Sequence, residues 1–147
     1  MTNELIADKI ELTELANKLF MYCDRQQWDK LLDEVFIPTI CFDLSNAGGD
    51  KPVMMKAEDV CKIWSDGFTG LDAIHHQAGH YLVNVEKNKA DIFGYAVASH
   101  YKKAATKGNT RTFIGSYDLK AERGSSGWRL SQFKYNLKYI DGNISME

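Results

Sequence analysis

The sequence has few of the features that mark secreted, nucleic-acid-binding or membrane proteins. Its 147 residues include only two prolines and three cysteines, and 18 Lys and Arg nearly balance 20 Asp and Glu. Without a block of basic residues, nothing marks an electrostatic surface for nucleic acid or an acidic membrane. No apolar run approaches the roughly 20 residues of a membrane span, and residues 1–12 carry acids where a signal peptide is basic and then apolar. We expect a cytoplasmic protein that binds neither nucleic acid nor membranes.

The cysteines exclude a disulfide framework and a zinc site with recognisable spacing. Cys23, Cys41 and Cys61 are odd in number, and they show neither C-x-x-C spacing nor a His at zinc-ligand spacing. Free, mostly buried thiols are therefore expected. A chain of this length buries roughly 70% of its unfolded surface, so one domain over residues 1–147 needs no such staple. We expect no metal and no cofactor.

Helical periodicity is confined to the first half of the chain. Apolar residues recur at three- and four-residue spacing over 8–23, 27–36 and 57–68, which predicts three helices. Thr2 or Asp8 is the expected N-cap of the first helix. Pro38 is expected to end the second helix, since proline cannot continue one. A short strand over 39–44 and a loop over 45–50 follow it.

The pattern of the second half of the chain predicts long strands. Segments 74–85, 90–105, 110–123 and 127–140 are rich in β-branched and aromatic residues and are separated by short polar turns, which predicts an antiparallel meander. Strands this long must curl, and Gly79, Gly94 and Gly115 are expected to mark bulges or bends. The predicted fold is α+β: a cone-shaped barrel with three N-terminal helices packed on a strongly curved, mainly antiparallel sheet that encloses a hollow.

Side-chain alternation places small residues and a histidine on one strand face. Gly94, Ala96, Ala98 and His100 share a face and leave space in front of it, so His100 is expected to project into the hollow. The opposite face carries the aromatic residues Phe93, Tyr95 and Tyr101, and Phe113 and Phe133 are expected beside them on neighbouring strands. Because such a face would bury well against a second copy, we expect a homodimer or homotrimer.

All four histidines lie on the predicted strands over 74–85 and 90–105, which are neighbours in the meander. Histidine is the usual proton-transfer group near neutral pH. Either His76 or His80 could face the hollow, because a bulge at Gly79 would exchange the two faces. Asp24, at the end of the first helix, could orient a histidine or cap the next helix. A two-His-one-carboxylate metal site formed by Asp24, His76 and His100 is the competing interpretation.

These segments occur in an order that resembles a known family. Asp-Arg-Gln-Gln-Trp-Asp at 24–29, His-x-x-Gly at 76–79, Gly-Ser-Tyr-Asp at 115–118 and Gly-Trp-Arg-Leu at 127–130 look like the SnoaL-like branch of the nuclear transport factor 2-like superfamily. The resemblance runs from about Leu5 to Tyr139. That branch includes scytalone dehydratase and polyketide cyclases.

The resemblance implies a pocket with an Asp and two His. Matched position by position, these fall on Asp24, His76 and His100. Two tyrosines that help hold water in scytalone dehydratase are replaced by Cys23 and Leu44, and its asparagine falls on Ser116 or Tyr117.

The function we expect is a cofactor-free lyase or isomerase acting on a small cyclic or carbonyl-bearing apolar molecule. One histidine would take a proton and the other would donate one. The alternative is a non-catalytic ligand-binding or assembly module of the same fold. The residues expected to contact the ligand are Tyr22, Cys23, Leu44, Trp64, His80, Ala96, Ala98 and Tyr117.

Overall fold

Three helical segments and six strands make up the chain, which the computed structural model describes from residue 1 to residue 147. The helices are α1 (Asn3–Asp24), α2 (Trp28–Lys30), which continues as a π-helical segment (Leu31–Val35), and α3 (Ala57–Gly67). The strands are β1 (Phe36–Asn46), β2 (Val53–Lys56), β3 (Ala73–Glu86), β4 (Lys89–Tyr101), β5 (Thr110–Gly124) and β6 (Gly127–Gly142). No helix is both long enough and apolar enough to cross a membrane.

All six strands belong to one curved sheet, with the helices on its concave side. The strand order is β2-β1-β6-β5-β4-β3, and every pair is antiparallel except β1 with β6. The predicted meander of four long strands is β3 to β6, and the α+β prediction is confirmed. Strand β2 was not predicted, because its four residues, which pair with β1, are too few to show a period.

The second helix ends earlier than predicted, and Pro38 is not what ends it. Phe36 is already extended, with φ −97° and ψ 148°, so the helix predicted over 27–36 stops at Val35 and the strand predicted over 39–44 begins at Phe36. Pro38 lies inside β1, where the register with β6 breaks between Phe36 and Cys41. A proline is tolerated there because an irregular stretch requires no ladder N–H from it.

A bulge in β3 decides which histidine faces the helices. The register with β4 slips after Gly79, and His80 takes a left-handed conformation with φ +55°. The inward face therefore carries His76 before the bulge and Tyr81 after it, while His80 is exposed on the outer face. Gly94 shows no register break. A Cβ there would lie 2.6 Å from the ring of Tyr81, so this glycine makes room for that ring.

Helix α1 is capped by Thr2 and anchored to the sheet near its N-terminal end by Asp8. Thr2 is the N-cap, its hydroxyl accepting from the backbone N–H of Leu5 at 3.1 Å. Asp8 is buried instead, accepting from Arg123 Nη2 at 2.6 Å and from Trp128 Nε1 at 3.1 Å. Farther along the helix, α1 contributes to the core together with β4, β5 and β6, through fully buried side chains that include Leu12, Leu19, Ile92, Leu119 and Leu130. This packing carries the C-terminal end of α1 over β3.

Candidate functional site

An apolar cavity of about 220 Å³ lies between the helices and the concave face of the sheet. Eleven of its thirteen lining residues are hydrophobic, and the two exceptions are His76 and His100. The lining consists of Leu19, Phe20, Cys23, Leu44, Trp64, Phe68, His76, Ala98, His100, Phe113, Tyr117, Phe133 and Tyr135. A larger groove of about 760 Å³ passes Lys9 and Thr13 and contains no histidine, so the smaller cavity is the candidate site.

Asp24 holds His76 by two hydrogen bonds. Its Oδ1 lies 2.6 Å from His76 Nδ1, and its Oδ2 accepts from the backbone N–H of His76 at 2.9 Å. Both side chains are largely buried, with 15% of Asp24 and 10% of His76 exposed. Because a carboxylate only accepts, the neutral ring carries its proton on Nδ1 and keeps the Nε2 lone pair free. Asp24 does not cap the next helix, whose N-cap is Gln27.

His100 has the opposite kind of partner. It is directly across from Arg111 in the β4–β5 ladder, and Arg111 Nε donates to His100 Nδ1 at 3.1 Å. A second nitrogen of the guanidinium, Nη1, donates to the carbonyl of Ile144 at 2.9 Å. Since arginine only donates, Nδ1 of His100 must accept, and the neutral ring carries its proton on Nε2.

The surroundings keep His100 uncharged. The residue is 8% exposed, and its ring contacts those of Phe68 and Phe113 at centroid distances of 5.5 and 5.1 Å. Burial, followed by the positive charge of Arg111, lowers the pKa of His100 from its usual 6.5 to about 4. His100 is therefore a neutral N–H donor at physiological pH.

The two histidines are close neighbours on the sheet. His76 is paired with Ala98 across the β3–β4 ladder, and His100 follows two residues later on the same face. Such diagonal neighbours lie about 7 Å apart. One cavity thus presents a free imidazole lone pair from β3 and an imidazole N–H from β4.

Of the eight residues expected to contact the ligand, five line the cavity and three do not. Cys23, Leu44, Trp64, Ala98 and Tyr117 line the cavity. Burial raises the pKa of the Cys23 thiol, so Cys23 is a wall and not a thiolate nucleophile.

The structure places three of the expected contacts outside the cavity lining. Tyr22 points away from the cavity and donates to Glu34 at 2.7 Å, because consecutive helical residues face different directions. His80 lies on the outer face as a result of the bulge, with its ring 5.9 Å from that of Tyr95. Ala96 is buried, but it is not part of the lining.

Several lining residues were missed. Phe113 and Phe133 were expected on the outer face, but both line the cavity. Phe133 alternates with Tyr135 along β6, and Phe113 lies four residues before the expected contact Tyr117 on β5, so the alternation applied to β4 would have found them. Arg111 shows no such signal, because its role depends on the register between β4 and β5.

The alternative metal site is not assembled. No three His, Cys, Asp or Glu side chains form a group that could hold a metal ion. Asp24 and His76 bond to each other, and a guanidinium occupies Nδ1 of His100.

A family model now matches most of the chain. The SnoaL-like domain aligns with residues 4–134. The chain belongs to the SnoaL-like family. This confirms the family predicted from the sequence.

Solved structures share the fold of this SnoaL-like protein. A protein from Kribbella flavida is 25% identical with a TM-score of 0.90, over 97% of each chain. A proposed scytalone dehydratase from Novosphingobium aromaticivorans is 10% identical with a TM-score of 0.82, over 97% of this chain and 92% of that one. A type 2 hexachlorocyclohexane dehydrochlorinase is 12% identical with a TM-score of 0.77, over 94% and 90%. No curated protein matches the chain.

Proposed function

We propose that this protein is a cofactor-free lyase or isomerase that removes a proton from a small apolar ring compound. The observation that carries the proposal is the double hydrogen bond from Asp24 to His76 at the wall of an otherwise apolar cavity. Two structural neighbours are named a dehydratase and a dehydrochlorinase, and both names denote eliminations. This supports elimination as the type of chemistry.

His76 is the base in this proposal. Because Nδ1–H is directed at Asp24, Nε2 is the atom that accepts the substrate proton, through its lone pair. The carboxylate fixes the ring orientation and compensates the positive charge that the imidazole gains. The C–H electron pair then forms either a new C=C bond, as the leaving group departs with its bonding electrons, or an enolate.

His100 donates a hydrogen bond and not a proton. Its pKa of about 4 means that it is neutral at pH 7, and giving up the remaining N–H would create an unfavourable imidazolate. Its N–H can still stabilise negative charge on the leaving group or enolate oxygen. The proton held by His76 therefore returns to the product from His76 itself, which makes one histidine both base and acid.

The cavity limits the size and charge of the substrate. At about 220 Å³ it is smaller than the roughly 300–1,000 Å³ of pockets for drug-sized ligands, so one or two fused rings fit. The only lining residues that are not hydrophobic are the two histidines, which excludes a highly charged ligand on desolvation grounds.

The test is exchange of carbon-bound hydrogen in D2O, followed by NMR. Cyclic ketones such as 1-indanone and 1-tetralone carry exchangeable protons next to the carbonyl and are small enough for the cavity. Wild-type protein should accelerate this exchange. His76→Gln should lose at least 100-fold of the acceleration, because the amide keeps a donor for Asp24 but supplies no base.

The matched control is His75→Gln, an exposed neighbour on the opposite strand face. It should exchange like wild type. The proposal fails if His76→Gln retains the acceleration, or if the wild-type protein binds the ketones without accelerating exchange. The second result would favour the non-catalytic binding module.

A separate observation supports self-association. The outer face of the sheet exposes a group of large apolar side chains: Leu82, Tyr95, Val97, Tyr101 and Tyr139. We propose a homodimer or homotrimer through this face. Light scattering should show a mass that is two or three times the 16.7 kDa of one chain, and Val97→Lys should reduce the mass to that of a single chain. A monomeric wild-type protein would contradict this.

A further inference from the structure

His100, Arg111 and Gly142 lie side by side in one row of the sheet. His100 on β4 is paired with Arg111 on β5, and Arg111 is paired with Gly142 on β6. Arg111 Nε donates to His100 Nδ1 at 3.1 Å, and the guanidinium carbon lies 5.5 Å from the centre of the Phe113 ring. The arginine that leaves His100 with its proton on Nε2 thus lies beside the last residue of β6.

The segment that follows β6 supplies the second anchor of Arg111. The Nη1 of Arg111 donates to the backbone carbonyl of Ile144 at 2.9 Å, and no carboxylate lies within 4.0 Å of the guanidinium. Because the guanidinium is planar, hydrogen bonds on two of its nitrogens fix its orientation, whereas one would leave it free to rotate. A carbonyl is uncharged, so it holds the arginine without cancelling the positive charge beside His100.

Ile144 is held in place by hydrogen bonds between its neighbours and the turn between β4 and β5. Asn143 donates from its backbone N–H to the carbonyl of Thr110 and from its side chain to the carbonyl of Gly108, both at 2.9 Å. Met146, two residues after Ile144, is only 4% exposed. The segment is therefore both bonded and packed against the end of the sheet that carries Arg111.

The chain takes this course because residue 142 is a glycine. Gly142 has φ +90°, a left-handed conformation that residues with a side chain rarely adopt. A Cβ at this position would overlap the carbonyl oxygen of Thr110 and lie 3.3 Å from the Cα of Arg111. A larger residue at 142 would thus redirect the chain before the carbonyl of Ile144 reaches the guanidinium.

We propose that residues 142–147 are a positioning element for His100, which acts by fixing the guanidinium of Arg111. These residues do not line the cavity, but they determine which nitrogen of His100 carries the proton. Without the carbonyl of Ile144, the guanidinium would be free to turn toward water. The His100 ring could then carry its proton on Nδ1 and present a lone pair to the substrate. The consequence for the reaction rests on the proposed function, whereas the position of the proton does not.

The test is nitrogen-15 NMR of the His100 ring in the whole chain at neutral pH, because the Nδ1 and Nε2 shifts report which nitrogen is protonated. Wild type should carry the proton on Nε2. In Gly142→Val the ratio of Nε2–H to Nδ1–H rings should fall roughly five-fold or more, the effect of losing one hydrogen bond. The matched control is Gly124→Val, where a Cβ meets open space and the shifts should stay as in wild type.

A double substitution separates positioning from a purely structural role. If the segment acts through Arg111, Gly142→Val should change the His100 shifts in the wild-type chain but no further in Arg111→Met. A segment that only stabilises the fold would lower the unfolding temperature and leave the His100 shifts unchanged. Asn143→Ala, which removes the side-chain bond to Gly108, should move the His100 shifts in the same direction by a smaller amount.

The inference is overturned if His100 keeps its wild-type shifts in Gly142→Val, or in Asn143→Ala where Gly142→Val does not fold. It is also overturned if the effects of Gly142→Val and Arg111→Met add. Hydrogen exchange of 1-tetralone should fall about ten-fold in Gly142→Val, as in Arg111→Met. Failure of the proposed reaction looks different: exchange is absent even in wild type, while the His100 shifts still respond to the segment.

Discussion

The region around His76 and the region around His100 each present an imidazole to the same cavity, from diagonal positions on β3 and β4. The two imidazoles differ in the residue that is hydrogen-bonded to Nδ1. A carboxylate holds Nδ1 of His76 at 2.6 Å, whereas a guanidinium donates to Nδ1 of His100 at 3.1 Å. The first leaves a lone pair on Nε2 and the second leaves an N–H there. The comparison teaches that the partner of the remote nitrogen sets what each imidazole can do in the cavity.

The most direct way to break this contrast is Asp24→Asn. The amide can still accept the backbone N–H of His76, but its NH2 group then faces Nδ1 and favours the wrong ring tautomer. We expect hydrogen exchange of 1-tetralone to fall by about 10²–10⁴-fold with little change in ketone binding.

The control for Asp24→Asn is Asp66→Asn, which removes an exposed carboxylate paired with Lys62 at 3.1 Å. Exchange should be unchanged in this variant. Full exchange activity in Asp24→Asn would show that the carboxylate does not act through His76.

The next largest effect is expected when the partner of His100 is removed by Arg111→Met. Losing the adjacent positive charge should raise the pKa of His100 above about 4, yet keep it below 6.5 because burial remains. NMR titration of the histidines measures this directly. Hydrogen exchange should fall about ten-fold, less than the roughly 10²–10³ expected for loss of the N–H donor itself.

Arg111→Lys is the matched variant, since it keeps the charge but not the planar donor group. It should leave the pKa of His100 lower than Arg111→Met does. Identical His100 titration in wild type and Arg111→Met would contradict the assigned role of the guanidinium.

A smaller effect concerns stability at acidic pH. Above pH 6.5 His100 is neutral in both the folded and the unfolded chain. Between pH 6.5 and about 4 the unfolded chain binds a proton that the folded chain does not, so the free energy of unfolding decreases as the pH falls. Urea denaturation at pH 7 and pH 4.5 should show a smaller loss in His100→Gln than in wild type. His75→Gln, which alters an exposed residue, should lose as much as wild type.

The smallest effect is expected at the outward-facing histidine. His80→Gly should leave hydrogen exchange within about two-fold of wild type, because His80 does not line the cavity. The left-handed conformation at this position favours glycine, so the free energy of unfolding should rise by at most about 1 kcal/mol. A large loss of exchange would mean that His80 and not His76 serves the cavity.

Much of the strand architecture could be predicted because it follows from local periodicity. Alternation along β4 identified Ala98 and His100 as neighbours on one face, and the structure has both in the cavity lining. The same rule could not choose between His76 and His80. One extra residue after Gly79 exchanges the faces, and the bulge is fixed by pairing with β4.

Partners distant in sequence were less accessible. Asp24 and His76 are 52 residues apart. The residue pattern indicated only that Asp24 could orient one of the histidines, and the resemblance to a family with an Asp and two His pointed to His76 and His100. No sequence signal marks Arg111, because the residue opposite His100 depends on the turn between β4 and β5.

The sequence by itself determined the family, the α+β class, the long curved strands and the residue types available for chemistry. These depend on covalent geometry and on side-chain periods of 2 and 3.6 residues, which operate within a few residues. Only the tertiary structure decided which nitrogen each histidine presents and whether His76 or His80 faces the cavity. Those properties are set by hydrogen bonds between different strands and helices, so they do not exist until the sheet has closed around the cavity.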